Sequence, residues 1–276
     1  MADVIRANVS PDTWTWLQQF KKLPNNYSAL NTAFMIIPRK TGKSAIAIND
    51  LQFDLSIEVA INPFKNWTID RLCRVWLLLQ WDNTDKDKYY QTIENLFLSA
   101  EMNESVALYS ALPFFAYPEI WIKRCAEGIR SNIGSVLEAI MYNNPYPLTY
   151  LDQAAWNQLI LKAFFTEKNV PLIIGLDERA NKELALVLSD YARERWAAGR
   201  KVNPTLWRLV AGFIDDKIFK DIKIGLTHDD IAEKEAIALA ISESSFEPAK
   251  QWLSNIPELK SVVSDKALNW GKVSIN

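Results

Sequence analysis

Thr68-Ile-Asp-Arg-Leu-Cys-Arg-Val-Trp-Leu-Leu-Leu-Gln-Trp81 decides how the chain is read. Ile69, Leu72, Val75, Trp76 and Leu79 recur at three- and four-residue spacing, and Leu77 and Leu78 widen the stripe. That is the period of an α-helix. A helix apolar on most of its sides must sit between neighbours. Thr68 occupies the position of an N-cap.

The same period runs outward. Ser10-Pro11-Asp12 is a helix start, with Trp14, Leu17 and Phe20 as its apolar face. A second helix is expected over Tyr27–Ile37, ending at Pro38. Further helices are expected at about 85–99, 103–113, 118–141, 150–166, 179–198, 203–214, 216–225, 228–242 and 246–254. Only 8 Gly and 12 Pro punctuate 276 residues, too few for the turns of an all-β chain. The fold class is therefore all-α: an irregular stack of antiparallel helix pairs, as an α-α superhelix or multi-helix bundle. One segment departs from it. In Leu51–Val59 apolar and polar residues alternate, as in a half-buried strand, with Ser44–Ile48 as the available partner. The segment 44–60 is read as helix, with a short extended piece as the alternative. Residues 1–254 form one helical domain in this reading, and 255–276 a polar, partly ordered tail. No clean internal repeat is visible.

Composition narrows the chemistry. The chain is 49% hydrophobic and 23% charged, with a net charge of −2. No basic excess exists to neutralise phosphates, so nucleic acid is not an expected partner. The 11 Trp are expected to pack in cores and helix seams. Cys73 and Cys125 lie in apolar helical patterns, which fits packed thiols and a reducing, cytoplasmic setting. Met1–Asn8 lacks the apolar core of a signal peptide, and no apolar run reaches the roughly 20 residues of a membrane span.

Several chemistries find no motif. His228 is the single histidine, expected at the start of a helix with Asp229 and Asp230 in its first turn. One histidine makes neither a zinc site nor a catalytic triad. Pro38-Arg-Lys-Thr-Gly-Lys-Ser44 ends like a phosphate-cradling loop, but Ile37 stands where the first glycine must be. No catalytic residue, metal or cofactor is assigned.

The segment Tyr117–Pro147 differs from its surroundings. On one helix, Arg124, Glu127, Ser131 and Glu138 would share a face. Gly128 and Gly134 interrupt that helix at about 1 kcal/mol each, as glycines that admit a close neighbour do. Asn143-Asn144-Pro145-Tyr146-Pro147 ends it, and Gly175-Leu-Asp-Glu-Arg-Ala-Asn181 forms a dense polar loop further on. The functional reading is a polar ligand-binding site between helices, lined by Arg124, Glu127, Arg130, Glu138, Asn143, Asn144, Trp156, Asn157, Asp177 and Arg179. The structural reading makes the same residues inter-helix ion pairs and caps. A Glu between two Arg stays ionised, which suits pairing better than general-acid work.

Long motifs here resemble the EboA family: Arg-Cys-Ala-Glu-Gly-Ile-Arg-Ser-Asn (124–132), Asn-Asn-Pro-Tyr-Pro (143–147), Ala-Ala-Trp-Asn-Gln (154–158), Gly-Leu-Asp-Glu-Arg-Ala-Asn (175–181) and Arg-Trp-Ala-Ala-Gly-Arg (195–200). The resemblance runs over residues 10–215 or so. It implies a bacterial gene cluster for metabolite traffic, moving a pigment precursor toward the periplasm in cyanobacteria. It brings no agreed catalytic residues. The expected function is a non-enzymatic helical module that binds a small polar metabolite or docks proteins of the same cluster. The alternatives are an enzyme acting on a phosphorylated or carboxylated metabolite through Glu, Arg and Asn side chains, and a homodimeric scaffold.

Overall fold

The computed structural model describes residues 1–22, 26–47, 64–264 and 268–273. Among them the regular elements are helices, as the periodicity predicts. The chain divides into two compact units, Met1–Ala155 and Trp156–Asn276.

The first unit opens with α1 (Ala2–Asn8), which the sequence reading did not foresee, and α2 (Pro11–Gln18). Ser10 caps α2 as expected, its Oγ accepting from Thr13 N at 3.2 Å. α3 (Tyr27–Thr41) packs on α4 (Ile69–Leu78), and α4 packs on α6 (Met102–Ala111), with α5 (Lys86–Ser99) between them in sequence. The α4 stretch is buried along its whole length except at Arg71. Its polar residues Asp70 and Arg74 go in with the apolar ones. Thr68 stands before α4 but makes no side-chain cap. Its segment pairs with an extended piece instead, through an isolated antiparallel bridge to Ala45. Leu51–Val59 lies outside the described residues.

α3 corrects one expectation. It does not stop at Pro38 but continues to Thr41 with Pro38 inside it. A helical proline removes one N–H and orphans the carbonyl four residues earlier, here that of Phe34. Arg74 fills the gap: its Nε donates to Phe34 O at 3.0 Å. A side chain of α4 thus supplies the bond that Pro38 withholds.

The helix expected over 118–141 is also corrected. A 3-10 turn, Pro118–Trp121, leads into α7 (Ile122–Arg130), and α8 (Gly134–Met141) follows after a break. Ser131 makes the break: its Oγ accepts from Ile133 N at 3.0 Å, competing with helix continuation. Gly134 begins a helix rather than interrupting one. Gly128 does sit at a close approach, where a Cβ would lie 2.5 Å from both Ile140 Cδ1 and Tyr109 Cε1. α9 (Tyr146–Tyr150) completes the unit, and α10 (Gln153–Phe165) begins at its end.

In the second unit, α11 (Lys182–Ala197) packs on α12 (Leu206–Val210) and α13 (Asp216–Gly225). α14 (Ile231–Glu243) packs on α12, α13, α15 (Glu247–Ser254), α16 (Pro257–Ser264) and α17 (Trp270–Val273). Seven of the 11 Trp are buried, at 67, 76, 81, 121, 156, 196 and 207. Among the described residues no helix is long and apolar enough to cross a membrane.

Candidate functional site

The ten residues singled out from the sequence are distributed over both units. In the first, Arg124 is engaged by two carboxylates. Its Nε donates to Glu94 Oε2 at 2.8 Å, its Nη2 to Glu94 Oε1, and its Nη1 to Glu127 Oε2 at 2.8 Å. Those bonds raise the guanidinium's pKa. The break after α7 ends the common face expected for Arg124 and Glu138. Glu138 instead lends its charge to the Arg71 guanidinium, and Arg130 is exposed at the end of α7. Asn144 is buried and committed to the backbone: its Nδ2 donates to Ala139 O at 2.9 Å, and its Oδ1 accepts from Tyr146 N at 3.0 Å. Asn143, at φ 52°, makes the turn left-handed. The cavity beside these two asparagines is about 10 Å³, room for one water.

In the second unit, Arg179 lies over the buried ring of Trp156 at 5.0 Å. Asn157 Oδ1 accepts from Asn181 Nδ2 at 2.8 Å, and Asn181 caps α11 by accepting from Leu184 N. Asp177 takes two bonds from Arg208, at 2.7 and 2.5 Å. These contacts follow the cap-and-ion-pair pattern of the structural reading.

The larger clefts of this unit lie elsewhere, and the sequence reading missed them. One of about 470 Å³ is bounded by the stretch after α10 (Glu167, Asn169), by Tyr191 and Arg195 of α11, by Lys201 and Asn203, and by Ala232 of α14. Its walls are set by backbone turns. Glu167 closes α10 at φ 54°, a left-handed conformation that costs a non-glycine residue about 1 kcal/mol. Gly199 turns the chain at the end of α11 at φ 65°, where glycine carries no such cost. The charges of the cleft are paired with each other: Arg195 Nη2 with Glu167 Oε1 at 3.5 Å, Lys201 Nζ with Asp230 Oδ2 at 3.4 Å. Arg195 Nε also donates to Lys201 O at 2.8 Å, fixing the loop. Tyr191 donates to Phe164 O at 3.3 Å, and burial raises its pKa.

Lys201 and Asp230 also line a second cleft of about 310 Å³, with Glu233 among its lining residues. Glu233 is buried, and its carboxylate accepts from Trp196 Nε1 at 3.2 Å and Trp207 Nε1 at 3.3 Å. Burial pushes its carboxyl up to about 7, against the pull of the two indole donors, and Asp230 adds to the rise. Trp196 is stacked against Trp207, at 6.0 Å, and against His228, at 5.4 Å. α14 begins at Ile231, so His228 precedes the helix rather than beginning it, and Asp230 caps α14 by accepting from Glu233 N at 3.2 Å. Burial also lifts both thiols, Cys73 and Cys125, to about 12, leaving them protonated at neutral pH. Among the described residues no three His, Cys, Asp or Glu side chains are grouped to hold a metal ion.

The family model described as "Metabolite traffic protein EboA" matches residues 1–211. The chain belongs to the EboA family. No curated protein and no solved structure matches it. The EboA match includes Tyr191, Arg195, Trp196, Asn203 and Trp207, while His228, Asp230, Ala232 and Glu233 follow it in the chain. The clefts of this EboA-family chain thus combine residues from within and beyond the matched region.

Gly225 sets the position of Trp196. A Cβ there would lie 2.6 Å from Trp196 Cζ2 and 2.9 Å from Ile237 Cδ1. Gly225→Ala is expected to destabilise by about 1–3 kcal/mol, as overpacking does, and to shift the tryptophan emission as the stacked indoles move. Urea unfolding followed by fluorescence reads both, and an unchanged midpoint with unchanged emission would refute the close packing.

Proposed function

We propose that this chain is a non-catalytic binding module of a metabolite-traffic system, holding a small neutral polar metabolite in the cleft between Glu167–Asn169 and Lys201–Asn203. The observation carrying the reading is the charge balance of that cleft. Its two cations and two carboxylates are paired with each other, and Asn169 and Asn203 are among its lining residues. A phosphate or carboxylate ligand would compete with Glu167 and Asp230 for the two cations, whereas a hydroxylated or amide-bearing ligand leaves both pairs intact. A volume of about 470 Å³ falls in the range of small-molecule sites. The engagement of Arg124 by Glu94 and Glu127 supports the same choice over an enzyme centred on residues 124–144.

Native mass spectrometry of the protein, purified gently from its host, tests this reading. The wild-type chain should carry a small-molecule adduct. Ala232→Trp, at a half-buried position on the cleft wall, should lose it while its thermal unfolding stays within a few degrees. An empty wild-type chain, or an adduct that survives in Ala232→Trp, would overturn it.

A further inference from the structure

A third cleft lies against the first. It is a groove of about 480 Å³ between α10 and α11, lined by Leu161, Lys162, Phe165, Val187, Asp190 and Tyr191 among others. Its apolar members are unusually open to solvent, Phe165 at 70% and Val187 at 44%. Phe165 comes from α10 and Val187 from α11, so each helix puts an exposed apolar side chain into the same groove. Tyr191 lines both this groove and the polar cleft. The adjacency follows from helix geometry. Val187, Tyr191 and Arg195 succeed one another at four-residue steps along one face of α11. Phe164 and Phe165 diverge at the end of α10, the first toward the polar cleft and the second toward the groove.

We infer that the two compartments form one site for an amphiphile, its neutral polar head in the Glu167–Asn203 cleft and its apolar tail along Phe165 and Val187, passing Tyr191. The inference rests on the binding-module reading and adds the class of its ligand. Tyr191, which lines both compartments, puts both within reach of one two-ended molecule. The groove also carries Lys162, Glu194 and Asp190, the last already engaged by Lys217 at 3.4 Å and Arg193 at 3.7 Å. The polar compartment, with its charges paired, suits a head without net charge.

Hexyl, octyl and decyl glucoside, each below its micelle-forming concentration, and glucose alone are suitable probes by titration calorimetry. Affinity should rise about fourfold per added methylene, the factor that burial of one CH₂ supplies. Phe165→Asp and Val187→Asp alter exposed side chains and should leave folding intact. Both should flatten the chain-length dependence, and Ala232→Trp should abolish binding of the whole series. A flat dependence in the wild type, no binding of any glucoside, or a chain-length dependence that survives Phe165→Asp would overturn the inference. So would a groove that joins copies of the chain, seen as a wild-type dimer in light scattering that Phe165→Asp converts to monomer. The host adduct separates this failure from failure of the binding-module reading. An adduct whose released molecule partitions wholly into water leaves the module standing and removes the amphiphile, whereas an empty chain removes the module itself.

Discussion

Arg74→Met is expected to cost about 3–5 kcal/mol of stability, the loss that follows when one partner of a buried ion pair is removed. Arg74 is 3% exposed and holds three groups. Its Nη1 donates to Asp70 Oδ2 at 3.1 Å, its Nε donates to Phe34 O at 3.0 Å, and its Nη2 lies 3.8 Å from Glu104 Oε1. Among the described residues Asp70 Oδ1 has no hydrogen-bond partner, so Asp70 depends on this guanidinium. Methionine matches the stem in length and packing but leaves a buried carboxylate and the Phe34 carbonyl unsatisfied. The second of these is separable. Alanine at position 38 restores the backbone N–H that proline withholds from Phe34 O. Pro38→Ala should therefore be more favourable in the Arg74→Met background than in the wild type, by about 1 kcal/mol. Urea unfolding of the four-member cycle measures it. A loss under 1 kcal/mol for Arg74→Met, or no coupling to position 38, would sink this account of α3.

Glu233→Gln is expected to remove a pH-dependent stability term of about 3 kcal/mol, the size that follows from a carboxyl raised from 4.5 to about 7. The folded state holds this proton more tightly than the unfolded state does. The contribution is thus fully present below about pH 4.5 and is lost as pH rises through about 7. Asp230, His228 and Lys201 share the cleft and stay in both proteins. The difference between wild-type and variant stability therefore isolates Glu233. It should be level in acid, fall between those two pH values, and level again above them. Glutamine keeps one oxygen to accept from the indoles of Trp196 and Trp207 and carries no charge to desolvate. Parallel stability curves for the two proteins would show that Glu233 is not held in a buried, protonatable state.

Much of the fold was legible locally because helix periodicity and capping are local. Asp216–Gly225 has the bounds its pattern predicts, and Ser10 caps where Ser-Pro-Asp indicates. Two helices defeated the same reasoning for different reasons. At Pro38 the local rule for stopping was right about the missing hydrogen bond, but Arg74, 36 residues later, supplies it. At Ser131 a side-chain bond to Ile133 N outcompeted helix continuation, an outcome the apolar stripe through Ile129 and Ile133 conceals.

The candidate site was less legible. Arg124, Asn144 and Asn157 stand out as polar residues in apolar surroundings, and each turned out to hold another part of the structure. Glu233 reads as an ordinary acid in the first turn of a helix, as Asp229 and Asp230 do. It is set apart by Trp196, 37 residues before it, and Trp207, 26 residues before it. The sequence by itself determined the all-helical class, the main helix positions and the EboA family, all of which rest on periodicity and contiguous motifs. Tertiary structure alone decided which charges are buried, which carbonyl Arg74 caps and where the clefts open. Those outcomes depend on desolvation and pairing between residues far apart in the chain, and neither is written in the spacing of neighbours.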